Sequence, residues 1–126
     1  MRSFVLAISM LLFAGCATAQ EIPLGAGDWV VARWTEDDPY WYPAIVTSRT
    51  GDNVSLQYDD GDTGVQPARN VRRFAWRDGT RLECRSGAGP FQRAVIAAMA
   101  ADRVHINVRY DDGAVEDTDT SKCRQP

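Results

Sequence analysis

The chain has 126 residues, of which 44% are hydrophobic and 25% charged, enough for one compact domain or two very small ones. Its formal charge of −3 argues against a nucleic-acid backbone as partner, because such a partner calls for a basic surface. Glycine, proline and Asp-Gly pairs are frequent and long helix-period stretches are absent, which points to an all-β protein.

Residues 1–19 read as a signal peptide. Arg2 supplies a positive start, Phe4 to Phe13 is an apolar run broken only by Ser9, and small residues follow. The run is too short to span a bilayer as a stable anchor. Two processing routes stay open. Ala17-Thr18-Ala19 fits cleavage before Gln20, whereas Phe13-Ala14-Gly15-Cys16 resembles the lipobox of bacterial lipoproteins, which implies cleavage before Cys16 and lipidation there. A lipid at Cys16 is the one membrane attachment expected. The protein is expected to be periplasmic or secreted, or else lipid-anchored to the envelope. Loss of Arg2 leaves 13 basic against 17 acidic residues, a net −4. Beyond Cys16, Cys84 and Cys123 form an even pair in an exported chain, which suggests one disulfide. Two thiols and His105, the single histidine, fall short of a closed structural zinc site, so no metal and no cofactor is expected.

The mature part is a duplication. With Gly27 aligned to Gly79, Val30 meets Leu82, Ala32 meets Cys84 and Arg33 meets Arg85. After a two-residue loop difference, Trp41 meets Phe91, Ala44 meets Ala94, Ile45 meets Val95 and Val46 meets Ile96. Val54 then meets Ile106, Leu56 meets Val108, and Tyr58-Asp59-Asp60-Gly61 meets Tyr110-Asp111-Asp112-Gly113. Val71 and Arg72 meet Cys123 and Arg124.

Within each copy the residues alternate as in half-buried strands. Val30, Ala32 and Trp34 share one face, as do Val54, Leu56 and Tyr58, and Ile106, Val108 and Tyr110. Asp60-Gly61, Asp112-Gly113 and Thr50-Gly51-Asp52-Asn53 read as turns. A unit of ~50 residues is marginal alone. Trp41 and Ile45, with Phe91 and Val95 as copies, lie on faces opposite Ala44 and Val46, and are expected to pack the two units together. A Cys84–Cys123 bond between first and last strands of the second unit would contribute about 4 kcal/mol by loop closure.

Gly27-Asp28, Val30-Val31-Ala32-Arg33-Trp34, Trp41-Tyr42-Pro43-Ala44-Ile45-Val46, Val54-Ser55-Leu56-Gln57-Tyr58-Asp59-Asp60-Gly61 and Asn70-Val71-Arg72 together resemble a Tudor domain, an SH3-like antiparallel barrel. The resemblance implies barrels at 24–74 and 75–126, the second a weaker match. It also implies an aromatic cage for a methylated or cationic side chain, at Trp34, Tyr42 and Tyr58 with Asp60 as the acidic member. The second copy has Ser86 for Trp34 and Gln92 for Tyr42, keeping only Tyr110 and Asp112. A cage therefore belongs to the first copy or to the groove between copies. The competing reading makes Trp34 and Tyr58 core residues, Tyr40 to Tyr42 interface packing, and the Asp pairs turn residues.

The expected function is a non-catalytic exported binding or adaptor protein. Its ligand would be a protein or peptide, methylated or arginine-rich, or a quaternary ammonium compound. Alternatives are a cell-envelope structural or assembly protein, and a cell-wall or carbohydrate-binding module. No nucleophile stands beside a histidine in sequence, and no catalytic residue is assigned.

Overall fold

The computed structural model describes residues 23–126. The expected leader over 1–19, with its cleavage points and Cys16, lies outside the described residues. The described chain is all-β, as composition implies.

Strands β1 (Trp29–Ala32), β2 (Tyr42–Thr50), β3 (Asn53–Tyr58), β4 (Thr63–Pro67) and β5 (Val71–Arg73) form one antiparallel sheet in the order β4-β3-β2-β1-β5. Strands β6 (Arg81–Cys84), β7 (Gln92–Met99), β8 (His105–Tyr110), β9 (Val115–Asp119) and β10 (Cys123–Arg124) repeat that order as β10-β6-β7-β8-β9. Each sheet makes one small SH3-like barrel. A single 3-10 turn, Ala68–Asn70 or Thr120–Lys122, precedes each last strand.

The duplication extends to the backbone. Register shifts fall between Val46 and Ser48 in β2 and between Ile96 and Ala98 in β7. The Gly27 amide donates to the Val46 carbonyl and the Gly79 amide to that of Ile96, both at 2.8 Å. Turns match too: Gly61 and Gly113 take φ of 94° and 90°, a conformation that costs glycine nothing. Only the glycine of each Asp-Gly pair adopts it. The β2–β3 turn has Gly51 at φ 57°, whereas its counterpart Arg103 adopts φ 59° with a full side chain. Its guanidinium lies 5.4 Å from the Trp29 ring centroid and 5.0 Å from that of Phe74, so the second barrel's turn rests on first-barrel aromatics.

The cores are equivalent position by position. Val30, Ala32, Ala44, Val46, Val54, Leu56, Tyr58 and Val71 fill the first. Their aligned partners Leu82, Cys84, Ala94, Ile96, Ile106, Val108, Tyr110 and Cys123 are all buried in the second. Ala32 faces Val71 across β1 and β5, and Cys84 faces Cys123 across β6 and β10. There the two thiols form the disulfide, their Cα atoms 4.1 Å apart, replacing an apolar cross-strand pair by a covalent one.

The barrels join differently from the expectation drawn from β2. Trp41 does enter the second barrel's cluster, 4% exposed, and pairs its backbone with Gln125 in both directions at 2.8 Å. Ile45 does not follow and is 40% exposed. It shares the face of Trp41 but sits four residues on, roughly 13 Å along the strand, away from the Trp41–Gln125 bridge. Val31, on the reverse side of β1, and Trp76 from the connection complete the seam. The Trp76 indole N–H donates to Gln125 Oε1 at 3.1 Å. Phe91 and Val95 are only half-buried.

Candidate functional site

All four residues singled out for a cage line one cleft. Trp34, Tyr42, Tyr58 and Asp60 share it with Pro43, Asp59 and Asp62 of the first barrel, and its volume is about 240 Å³. Arg85, Phe91, Ser121 and Cys123 of the second barrel form the facing wall. The cleft thus lies in the groove between copies.

Trp34 is not an inward strand residue. β1 ends at Ala32, and Trp34 stands beyond it at 43% exposure. Its backbone is held from below: Gln66 Nε2 donates to the Trp34 carbonyl at 3.0 Å, and Gln66 Oε1 accepts from Asn70 Nδ2 at 3.1 Å. Both amides are buried, so each hydrogen bond also satisfies a group that would be costly to strand.

Tyr58, by contrast, is core, 3% exposed. Its hydroxyl donates to the Arg33 carbonyl, and its ring meets Trp34 edge-on at 5.1 Å between centroids. It forms the floor of the cleft while Trp34 forms a side. Burial, then the charges of Asp38 and Asp60, push the Tyr58 phenol far above its ordinary pKa. The Tyr42 phenol is also raised, chiefly by burial, with Arg124 opposing and Asp38 adding to the shift.

The acidic residues serve two masters. Asp60 Oδ1 accepts from the Asp62 amide at 3.0 Å, the turn role foreseen for it, and Asp112 does the same for Ala114 at 2.9 Å. Asp59 Oδ2 accepts from the Thr120 hydroxyl at 2.5 Å across the seam. Burial raises the Asp59 carboxyl above its usual range, the Thr120 bond offsetting part of that. Negative potential and aromatic faces together favour a weakly hydrated cation.

One cation site of this kind is already filled from within. The Arg124 guanidinium lies 3.6 Å from the Tyr40 ring centroid and 3.9 Å from that of Phe91, and pairs with Glu83 at 2.9 Å. Arg72, its counterpart, lies 3.8 Å from the Trp41 ring centroid.

At the matching place the second barrel carries a polar network. Ser86 Oγ and the Tyr110 hydroxyl, the latter at 3.2 Å, both donate to Glu116 Oε2. Glu116 sits where the first barrel has Gly64, each the second residue of its strand. A Cβ on Gly64 would lie 3.4 Å from Tyr58 Cε2, so glycine keeps that ring edge uncovered.

The residue pattern alone did not assign Arg85 or Ser121 to the site, and marked Phe91 only for packing between the units. The repeat alignment equates Phe91 with Trp41 and Arg85 with Arg33, but carries no information on which face of one barrel turns toward the other. Among the described residues, no group of three or more His, Cys, Asp or Glu is placed to hold a metal ion, and no helix is long and apolar enough to cross a membrane.

No family model matches the chain, and no curated protein matches it. Among solved structures, the chain is similar to one described as the crystal structure of Arabidopsis thaliana AGDP1 AGD34, with 15% identity over 82% of each chain and a TM-score of 0.42. At that score the likeness carries no argument about ligand or role.

Proposed function

We propose that this protein is a non-catalytic, exported binding or adaptor module that takes a methylated or otherwise cationic side chain in the cleft of Trp34, Tyr42, Tyr58 and Asp60. One observation carries the reading: three aromatic rings and three aspartates from the first barrel surround a single opening of about 240 Å³. That volume lies below the roughly 300–1,000 Å³ of sites for drug-sized ligands, and suits one side-chain head group. The rings supply the quadrupole attraction and the aspartates the field. Export is supported by the Cys84–Cys123 bond, which persists in an oxidising compartment.

The test is calorimetric titration with peptides bearing trimethyllysine or dimethylarginine, against unmethylated controls. Methylated peptide should bind the native chain more tightly, and Trp34→Ala should lose about tenfold, a typical loss for a desolvated cation–π contact. Trp34 is exposed, so the variant should keep its fold. Undiminished binding by the variant would sink the reading.

A further inference from the structure

The cleft carries both signs of charge. Opposite the aromatic and aspartate wall stands Arg85, whose guanidinium carbon lies 4.9 Å from the Phe91 ring centroid. Its Nε is buried and has no hydrogen-bond partner, and no carboxylate pairs with it among the described residues. Arg124, on the same ring, shows what a satisfied guanidinium looks like here, bound to Glu83 at 2.9 Å. Arg33 is the repeat counterpart of Arg85 and shares the unpartnered Nε, but it lies over Trp41 and does not line the cleft. The stacking geometry is thus common to both barrels, while of the two only Arg85 lines the cleft.

A simple cation entering this cleft meets a like charge at Arg85, and a simple anion meets three aspartates. We propose that the cleft takes a small zwitterion, a methylated ammonium joined to a phosphate or carboxylate, with the cation on the Trp34 side and the anion on Arg85. The inference rests on the cation-binding reading above and sharpens it to a ligand class. Guanidinium is the side chain suited to this, because its planar fork matches both phosphate and carboxylate. The small volume sets the group that enters the cleft at the scale of a single head group.

The experiment is titration of the disulfide-intact chain with choline, phosphocholine and glycine betaine. Phosphocholine or betaine should bind about tenfold more tightly than choline, in keeping with a charge-assisted hydrogen bond. Arg85→Gln should weaken the zwitterion about tenfold and tighten choline, because the like charge is gone. Arg85→Lys should retain part of the preference. Equal affinity of the native chain for choline and both zwitterions overturns the inference and leaves the cation reading standing. Binding of none of the three overturns the inference, and the methylated-peptide titration then decides the cation reading separately. Parallel weakening of choline and zwitterion in Arg85→Gln assigns Arg85 a merely structural role and also overturns it.

Discussion

The two barrels share eight equivalent core positions and the same bulge, yet they contribute unequally to the cleft: Trp34, Tyr42 and Tyr58 come from the first barrel and Phe91 alone of the aromatics from the second. The difference comes down to a few residues around the tyrosine that both copies share, Tyr58 and Tyr110. In the first barrel Tyr58 has Trp34 across its edge and Gly64 beside it. In the second, Glu116 stands beside Tyr110 and accepts from both the Ser86 hydroxyl and the Tyr110 phenol. One copy leaves a ring edge open; the other closes the same space with a polar network. Stability has been redistributed as well, since the second barrel carries the disulfide where the first has Ala32 against Val71. A duplicated fold lets one copy open its surface while the other anchors the seam.

The largest effect should come from removing that asymmetry in stability. Replacing both Cys84 and Cys123 by alanine should cost about 4 kcal/mol on the loop-closure account, for a sequence separation of 39. Denaturant melts with and without reductant measure it, and hydrogen exchange should show β6 and β10 losing protection before β1 and β5. Conversely, Ala32→Cys with Val71→Cys should form a second bond, because these residues are cross-strand partners as Cys84 and Cys123 are. Failure of that bond to form would mean the barrels are less alike than their registers indicate.

Next in size is the conversion of one cleft wall into its counterpart. Gly64→Glu should leave the fold intact, since the new Cβ meets Tyr58 at ordinary contact distance. It should weaken cation binding if Tyr58 is part of the site, by a factor of about ten. Unchanged affinity would separate the open ring edge from the binding site.

The smallest effect concerns the β7–β8 turn. His105 Nδ1 lies 2.5 Å from Asp102 Oδ2, and Asp102 also caps the Val104 and His105 amides. The hydrogen bond to Asp102 raises the His105 pKa above 6.5, and its counterpart lowers that of Asp102 to about 2. Protonated His105 is therefore favoured in the folded state. Its stabilisation is fully present below pH 6.5 and fades as pH rises through the higher folded value. The Asp102 contribution is present above 3.8 and is lost as pH falls through the folded value of about 2. As the only histidine, His105 is directly assignable by NMR, and Asp102→Asn should return its titration toward 6.5. The first barrel, with Asn53 in that place, has no equivalent titration.

Much of this arrangement was legible in the residues. Alternation of Val30, Ala32, Val54, Leu56 and Tyr58 marked the inner faces, because period two is local geometry. The even cysteine pair and the repeat alignment, which sets Cys84 on the first strand and Cys123 on the last, pointed to the bond; that these strands are neighbours is seen in the sheet. Trp34 was misread as strand because alternation was extended two residues past the end of β1. The bend there comes with long-range bonds, Gln66 to the Trp34 carbonyl and Arg33 to Asn70, which no local pattern contains. Ile45 was misplaced at the seam for a similar reason: its face was right, but the extent of the bridge was not encoded in β2.

The sequence by itself determined the all-β class, the duplication, the core positions and the cysteine pairing, because each depends on periodicity or on equivalence between copies. The tertiary structure alone decided how the copies meet. It brought Trp41 and Val31 into the second core, left Ile45 outside, and set Arg85 and Phe91 opposite Trp34. Those outcomes depend on the relative placement of two rigid barrels, which arises from side chains distant in sequence and leaves no periodic trace in either one.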